Sequence, residues 1–170
     1  MTRRIVSIDP GLSGTAIAIW DRATLVDVDV FRTSTAWSLV ERVKVTCEAV
    51  RLLLHVEDQL VIEYQQVYGG RAAKGDANDL LKTTLLTGAL VECAEVVELV
   101  LPTEWKGSAP KSVTQKRCET DLTPSELLVV SGAGGRSQKL QSDAWDAVGI
   151  GLWWLRRAGL RARATSPGRS

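Results

Sequence analysis

The sequence predicts an α/β domain that opens with three consecutive antiparallel strands and continues with helices and two further strands. The first observation is an apolar run over residues 4–9 that ends in Asp9, followed by a Pro-Gly turn and a second apolar run over residues 15–20. The second is the LVDVDVF stretch over residues 25–31, whose alternation is typical of a strand with one exposed face. The third is a change to helical spacing over residues 36–55.

The rest of the chain predicts shorter elements in a regular order. Ser142 or Asp143 is the expected N-cap of the last helix. We expect one domain over residues 1–160 and a basic, disordered tail over residues 161–170. The further predicted elements are a strand at 59–64, a loop at 67–79, a helix at 80–97, a strand at 97–102, a helix at 111–120, a loop at 132–137 and a helix at 142–159.

Composition excludes several kinds of protein. A chain of 170 residues, 45% hydrophobic and 24% charged, suits one globular domain. No apolar run is long enough to span a bilayer, so we expect a cytoplasmic protein without a membrane partner. Three widely spaced cysteines and one histidine argue against a zinc site or a disulfide framework. A bound metal would therefore be a hard cation held by carboxylates.

Charge is distributed unevenly along the chain. Residues 1–99 carry 10 basic and 14 acidic side chains, whereas residues 100–170 carry 11 and 6. A basic C-terminal third is a modest indication of a polyanionic partner. A solvated surface with a basic tail explains the same numbers, and charge alone favours that explanation.

Four acidic residues stand at the ends of predicted elements. Asp9 and Glu63 close two core strands, and Asp143 and Asp146 share one face at the start of the last helix. If these ends meet at one sheet edge, the carboxylates repel each other unless cations lie between them. Two divalent ions about 4 Å apart, held in this way, are the requirement of two-metal phosphodiester hydrolysis.

Each acid alone also has a purely structural explanation. Asp9 before Pro-Gly suits a turn, and Glu63 suits an exposed strand end. Asp143 suits a helix cap, and Asp146 suits the positive end of the helix dipole. It is the combination of all four in this order of elements that favours a functional site.

Four stretches together resemble the RuvC family of Holliday-junction resolvases, which are RNase H-like nucleases. IDPGLSGTAIAIW resembles the first motif of the family, VIEYQQVY the second and SDAWDAVGIGLWWL the last. KGSAPKSVTQ resembles the basic stretch near its active site. The resemblance covers most of residues 4–157. It implies an RNase H-like fold, with a five-stranded mixed sheet of a three-strand antiparallel meander plus two parallel strands, flanked by helices.

The resemblance also implies an activity, a cofactor and partners. It implies a homodimeric endonuclease that resolves four-way DNA junctions by paired symmetric nicks, leaves 5′-phosphates and contains two Mg²⁺ or Mn²⁺ ions per site. It implies no small-molecule cofactor, a dimer interface on the helix at 80–97, and a bacterial or phage origin. The implied metal-binding catalytic residues are Asp9, Glu63, Asp143 and Asp146, with Lys111 near the scissile phosphate. The candidate DNA-binding residues are Tyr68, Arg71, Lys74, Lys106, Lys111 and Lys116.

Other functions remain open at this point. A broader RNase H-like nuclease acting on branched DNA or on RNA–DNA hybrids fits the same acids. An actin-like ATP-binding domain shares the strand-Asp-x-Gly opening, although such proteins duplicate the fold and this chain is too short for two copies. A non-catalytic nucleic-acid-binding module is a third possibility, but a cluster of unpaired carboxylates destabilises a fold that holds no metal.

Overall fold

A five-stranded mixed sheet forms the centre of the molecule. The computed structural model describes residues 3–66, 76–133 and 138–162. The strands lie in the order β3-β2-β1-β4-β5, with β1, β2 and β3 antiparallel and β4 and β5 parallel to β1. The strands are β1 (Ile5–Asp9), β2 (Gly14–Asp21), β3 (Thr24–Arg32), β4 (Gln59–Glu63) and β5 (Val96–Val100). This confirms the predicted fold class.

Helices cover both faces of the sheet. They are α1 (Leu39–Leu53), α2 (Ala77–Val91), α3 (Pro102–Trp105), α4 (Lys111–Asp121), α5 (Pro124–Ala133) and α6 (Gln138–Arg157). One core lies between the sheet and α1 and α2, and a second lies between the sheet and α4, α5 and α6. None of the helices in the described part of the chain has the length and apolar character that a bilayer-spanning segment needs.

The alternation of side chains along the central strands decides which residues face α6. Val6 and Ile8 of β1 point into the core beneath α1 and α2, so Ile5 and Ser7 point to the α6 side. A strand has a period of two residues, so Asp9 follows Ser7 to the α6 side. By the same rule Glu63 of β4 lies on the α6 side, because Val61, two residues earlier on the strand, packs there.

Helix α6 lies very close to the centre of the sheet. Ser7 Oγ donates to the Ala147 carbonyl at 2.8 Å, and Trp20 Nε1 donates to Ser7 Oγ at 3.1 Å. Gly151 allows this approach, since a Cβ at that position would overlap the Trp20 indole and lie 2.7 Å from Ser7 Oγ. The position of α6 is therefore set by close contacts with β1 and β2.

Several predicted boundaries differ from those in the structure. Helix α6 begins at Gln138, so Ser142 and Asp143 lie inside the helix and neither is its N-cap. Helix α2 is capped by Asp76 and ends at Val91, so the predicted helix at 80–97 wrongly included the start of β5. Helices α3 and α5 were not predicted, and α5 extends into the predicted loop at 132–137 as far as Ala133. Residues 134–137 lie outside the described part.

Arg161 belongs to the folded structure, although the predicted tail begins at this residue. Its guanidinium donates to both carboxylate oxygens of Glu126 at 2.7 Å, and also to the carbonyls of Ala23 and Asp121. It lies 5.8 Å from the centroid of the Trp20 ring. The tail after residue 162 lies outside the described residues.

Candidate active site

Two strand ends place the first two acids side by side. The parallel register pairs Ile8 with Ile62, so the next positions along β1 and β4 are Asp9 and Glu63. The carboxyl ends of neighbouring parallel strands reach the same edge of the sheet, and both side chains point towards α6. Glu63 is only 5% exposed.

Helix α6 supplies the other two acids. Asp143 and Asp146 are three residues apart and therefore share a face of the helix. Asp146 is 8% exposed, and Asp143 is more accessible at its side chain. Lys111, the first residue of α4, lies with its Nζ 2.6 Å from Asp146 Oδ2 and 3.6 Å from Asp143 Oδ1. The structure thus brings Lys111 to the two acids of α6.

Glu63 is held by two neighbours that follow β5. Trp105 Nε1 donates to Glu63 Oε2 at 2.6 Å, and Lys106 Nζ lies 3.3 Å from the same oxygen. Lys106 Nζ is also 4.6 Å from the centroid of the Trp105 ring. Trp105 is not among the site residues predicted from the sequence. The available signal was topological: a residue shortly after β5 must lie near the end of the adjacent strand β4.

Electrostatics at the sheet edge show an excess of negative charge. Burial raises the pKa of Asp9 well above its usual range, and the nearby carboxylates of Glu63 and Asp146 raise it further. Lys106 and Lys111 act in the opposite direction on the pKa of Asp9. Burial lowers the pKa of Lys111, but its hydrogen bond to Asp146 and the surrounding acids raise that pKa overall. The cluster therefore favours additional positive charge.

The donor chemistry of the cluster fits a hard divalent cation. All four acids supply carboxylate oxygens, which Mg²⁺ and Mn²⁺ prefer. Within the described part of the chain, no three acidic, histidine or cysteine side chains are already grouped so that they could hold a metal ion. Glu63 is directed to Trp105 and Lys106, and Asp146 to Lys111. A divalent cation at the cluster would compete with the ammonium groups of Lys106 and Lys111 for these carboxylates.

The candidate DNA-binding residues are only partly described. Lys106 and Lys111 contact the acids as given above, and Lys116 is exposed on α4. Tyr68, Arg71 and Lys74 lie outside the described residues. Their expected contact with DNA stays a prediction.

Comparison with known proteins gives one similar sequence and several similar structures. No protein-family model matches the chain. A protein named crossover junction endodeoxyribonuclease RuvC, from Leifsonia xyli subsp. xyli, is 27% identical over 181 residues, covering 98% of this chain and 80% of that protein.

The solved structures share the fold. RuvC of Thermus thermophilus in complex with a Holliday junction substrate has a TM-score of 0.61 and 20% identity, covering 96% of this chain and 100% of that one. The yeast mitochondrial Holliday junction resolvase has a TM-score of 0.62 and 12% identity, covering 94% and 82%. The resemblance that the motifs indicated is therefore confirmed: the chain has the RNase H-like fold and is similar to the RuvC resolvases over nearly its whole length.

Proposed function

We propose that the protein is a structure-selective endodeoxyribonuclease that resolves four-way DNA junctions by paired symmetric nicks. The observation that supports this most strongly is that Asp9 and Glu63 end neighbouring parallel strands, where Glu63 and Asp146 both raise the pKa of Asp9. The similarity to RuvC along 98% of the chain supports the choice of substrate. An actin-like domain is disfavoured, because the described residues form a single five-stranded sheet.

The proposed chemistry assigns a task to each charged residue. Asp9, Glu63, Asp143 and Asp146 would bind two Mg²⁺ or Mn²⁺ ions. When bound, such ions lower the pKa of an attacking water and stabilise the leaving oxygen. Lys111 lies 2.6 Å from Asp146, so its ammonium group is within reach of a phosphate bound at the same carboxylates. There it would stabilise the negative charge that develops during hydrolysis to a 5′-phosphate.

Basic residues around the cluster would bind the DNA backbone. Lys106 lies between α3 and α4 and contacts Glu63, and Lys116 is exposed on α4. Arg71 and Lys74 would contact phosphates from the loop after β4, and Tyr68 would stack on a base. Phosphate contacts of this kind position the DNA, and they make its affinity dependent on salt.

A homodimer would match the two-fold symmetry of a four-way junction. Helix α2, predicted as the interface, has two large apolar side chains that are exposed one helical turn apart. Leu81 is 67% exposed and Leu85 is 52% exposed. The i, i+4 spacing places them on one stripe of the helix, which suits pairing with a second copy.

Charge introduced on this stripe tests the dimer. We expect the double variant Leu81→Glu and Leu85→Glu to be monomeric in light scattering coupled to size-exclusion chromatography, with an unchanged circular dichroism spectrum. The same double change at Leu52 and Val56, which are exposed near the end of α1, serves as the control and leaves a dimer intact. A dimeric α2 variant would contradict the proposed interface.

The activity itself is tested with a labelled synthetic four-way junction. Linear duplex, flap DNA and an RNA–DNA hybrid run in parallel, each with Mg²⁺ or Mn²⁺. Paired nicks at symmetric positions in the junction alone, lost in Asp146→Asn while junction binding persists, are the expected result. Equal cleavage of the hybrid or the flap would instead assign a broader nuclease. Binding without cleavage under both metals would indicate a non-catalytic module.

A further inference from the structure

The indole of Trp105 has a contact that packing alone does not require. Its Nε1 donates to Glu63 Oε2 at 2.6 Å, a short hydrogen bond to a carboxylate that is almost fully buried. Hydrogen bonds to an ionised acceptor are stronger and more directional than neutral ones. The contact therefore fixes the direction of the Glu63 carboxylate as well as its position.

Lys106 strengthens the same arrangement. Its ammonium group approaches Glu63 Oε2 at 3.3 Å and lies over the Trp105 ring at 4.6 Å. Among the described residues, both donors found for Glu63 approach Oε2, so Oε1 is the oxygen that these contacts leave to a cation. The carboxylate is thus held from one side only.

The ring of Trp105 is seated against α6 by a glycine. A Cβ at Gly149 would clash with the edge of the ring and lie 3.1 Å from its Cε3 atom. Glycine in the middle of a helix costs about 1 kcal/mol relative to alanine, so a packing reason is expected at this position. Gly149 is three residues after Asp146 on the same helix face. The seat of the indole and one of the acids therefore belong to one rigid element.

We propose that Trp105 is a positioning residue that aims the Glu63 carboxylate at the divalent cation, with Gly149 of α6 providing the seat for its ring. The proposal rests on the proposed function, because it needs a cation at the carboxylate cluster. Groups that hydrogen-bond to metal ligands in this manner typically change metal affinity or activity by about 10–100-fold when removed. The indole N–H orients the Glu63 carboxylate, and packing of the ring against Gly149 fixes where that N–H lies.

Trp105→Phe separates the two parts of the indole. It keeps an aromatic ring against Gly149 and removes the N–H. Trp154→Phe is the matched control, since Trp154 Nε1 also donates to a glutamate, Glu98, at 2.7 Å but outside the cluster. Mn²⁺ is titrated by calorimetry into each full-length protein without DNA. We expect the dissociation constant for Mn²⁺ to rise about 10–100-fold in Trp105→Phe and to stay unchanged in Trp154→Phe.

Junction binding and cleavage give a second readout. In Trp105→Phe we expect the single-turnover cleavage rate to fall, whereas the dissociation constant for the junction measured without metal stays unchanged. Recovery of the rate at higher Mn²⁺ concentration would accompany this. A lost N–H that affected only folding would lower the thermal midpoint without moving the Mn²⁺ affinity of the folded protein.

The variant Gly149→Ala tests the positioning role of Trp105 if Trp105→Phe does not fold. Alanine keeps the N–H but displaces the ring, and it favours the helix, so we expect a folded protein with the same weakening of Mn²⁺ binding. Unchanged Mn²⁺ affinity in whichever of the two variants folds would overturn the role of Trp105. Absence of Mn²⁺ binding in the wild-type protein would instead overturn the metal site of the proposed function.

Discussion

Replacing Asp9 with asparagine is expected to abolish cleavage and to make the metal-free protein more stable at higher pH. Asp9 sits at the end of the central strand, beside Glu63 and facing Asp146. Loss of one carboxylate removes a proposed ligand to the cations, and we expect cleavage to fall by more than about 10²-fold. Protein–DNA affinity depends mainly on basic side chains that contact phosphates, so binding of the junction is expected to persist in this variant.

The stability effect follows from the direction of the pKa shift. Burial and the neighbouring carboxylates raise the pKa of Asp9 in the folded protein. The unfolded chain therefore loses this proton at a lower pH than the folded one, and ionisation of Asp9 favours unfolding as the pH rises. Asparagine has no proton to lose. The variant should thus keep stability that the metal-free wild-type protein loses above the ordinary pKa of an aspartate.

Urea unfolding in the presence of a chelator, between about pH 5 and pH 9, measures this difference. Asp27→Asn is the control, because Asp27 is an exposed acid on β3 away from the cluster. Adding Mg²⁺ should stabilise the wild-type protein much more than the Asp9 variant, since a ligand stabilises the state that binds it. Parallel pH profiles of the wild-type and Asp9→Asn proteins would contradict the prediction.

Removing the guanidinium of Arg161 is expected to cause a large loss of stability. Glu126 is 2% exposed, accepts from Arg161 through both oxygens, and accepts from the backbone N–H groups of Leu25 and Thr123. Breaking one partner of a buried ion pair costs about 3–5 kcal/mol, because the other charge stays buried. Arg161→Met should lower the thermal midpoint by about 6–20 °C, at about 2–4 °C per kcal/mol.

The same pair predicts a pH dependence of opposite sign to that of Asp9. Burial alone raises the pKa of Glu126, but the hydrogen bonds from Arg161, Thr123 and Leu25 outweigh it and lower that pKa to about 2. A lowered carboxyl pKa contributes stability that is present above the unfolded value, about 4.3, and is lost as the pH falls towards about 2. The free energy of unfolding of the wild-type protein should therefore fall in acid. In Glu126→Gln this fall should be much smaller, because glutamine has no carboxylate to protonate.

An exposed ion pair provides the comparison. Lys82 and Asp79 form a contact at 3.1 Å on the surface of α2. Lys82→Met should change the free energy of unfolding by less than about 1 kcal/mol, as is usual for surface pairs. If Arg161→Met were as mild as Lys82→Met, the C-terminal contact would not be part of the folded unit.

The sequence predicts the acids of the site better than it predicts their partners. Asp9 and Glu63 end apolar runs, and a strand period of two residues then determines which side of the sheet they face. The pairing of Glu63 with Trp105 depends on β5 lying next to β4, which is a property of the tertiary arrangement. Local sequence patterns do not show which strand will lie next to β5. They therefore do not reveal that a residue shortly after β5 reaches Glu63.

Helices α3 and α5 could not be predicted from the sequence for two different physical reasons. Helix α5 contains the run LLVV, and a short apolar run does not distinguish a helix from a strand. Its buried Glu126 breaks the usual pattern of polar residues outside, because the partner that compensates the charge lies 35 positions later. Helix α3 has four residues, fewer than any helical periodicity can reveal.

Close seating of α6 on the sheet also determines how the site fails on heating. The helix contacts β1 through Ser7 and packs its glycines against Trp20 and Trp105. The acids on α6 therefore cannot move away from those on the strands unless the helix leaves the sheet. On heating, we expect the molecules that are still folded to keep their cleavage rate. Loss of activity and thermal unfolding of the domain should therefore have the same midpoint.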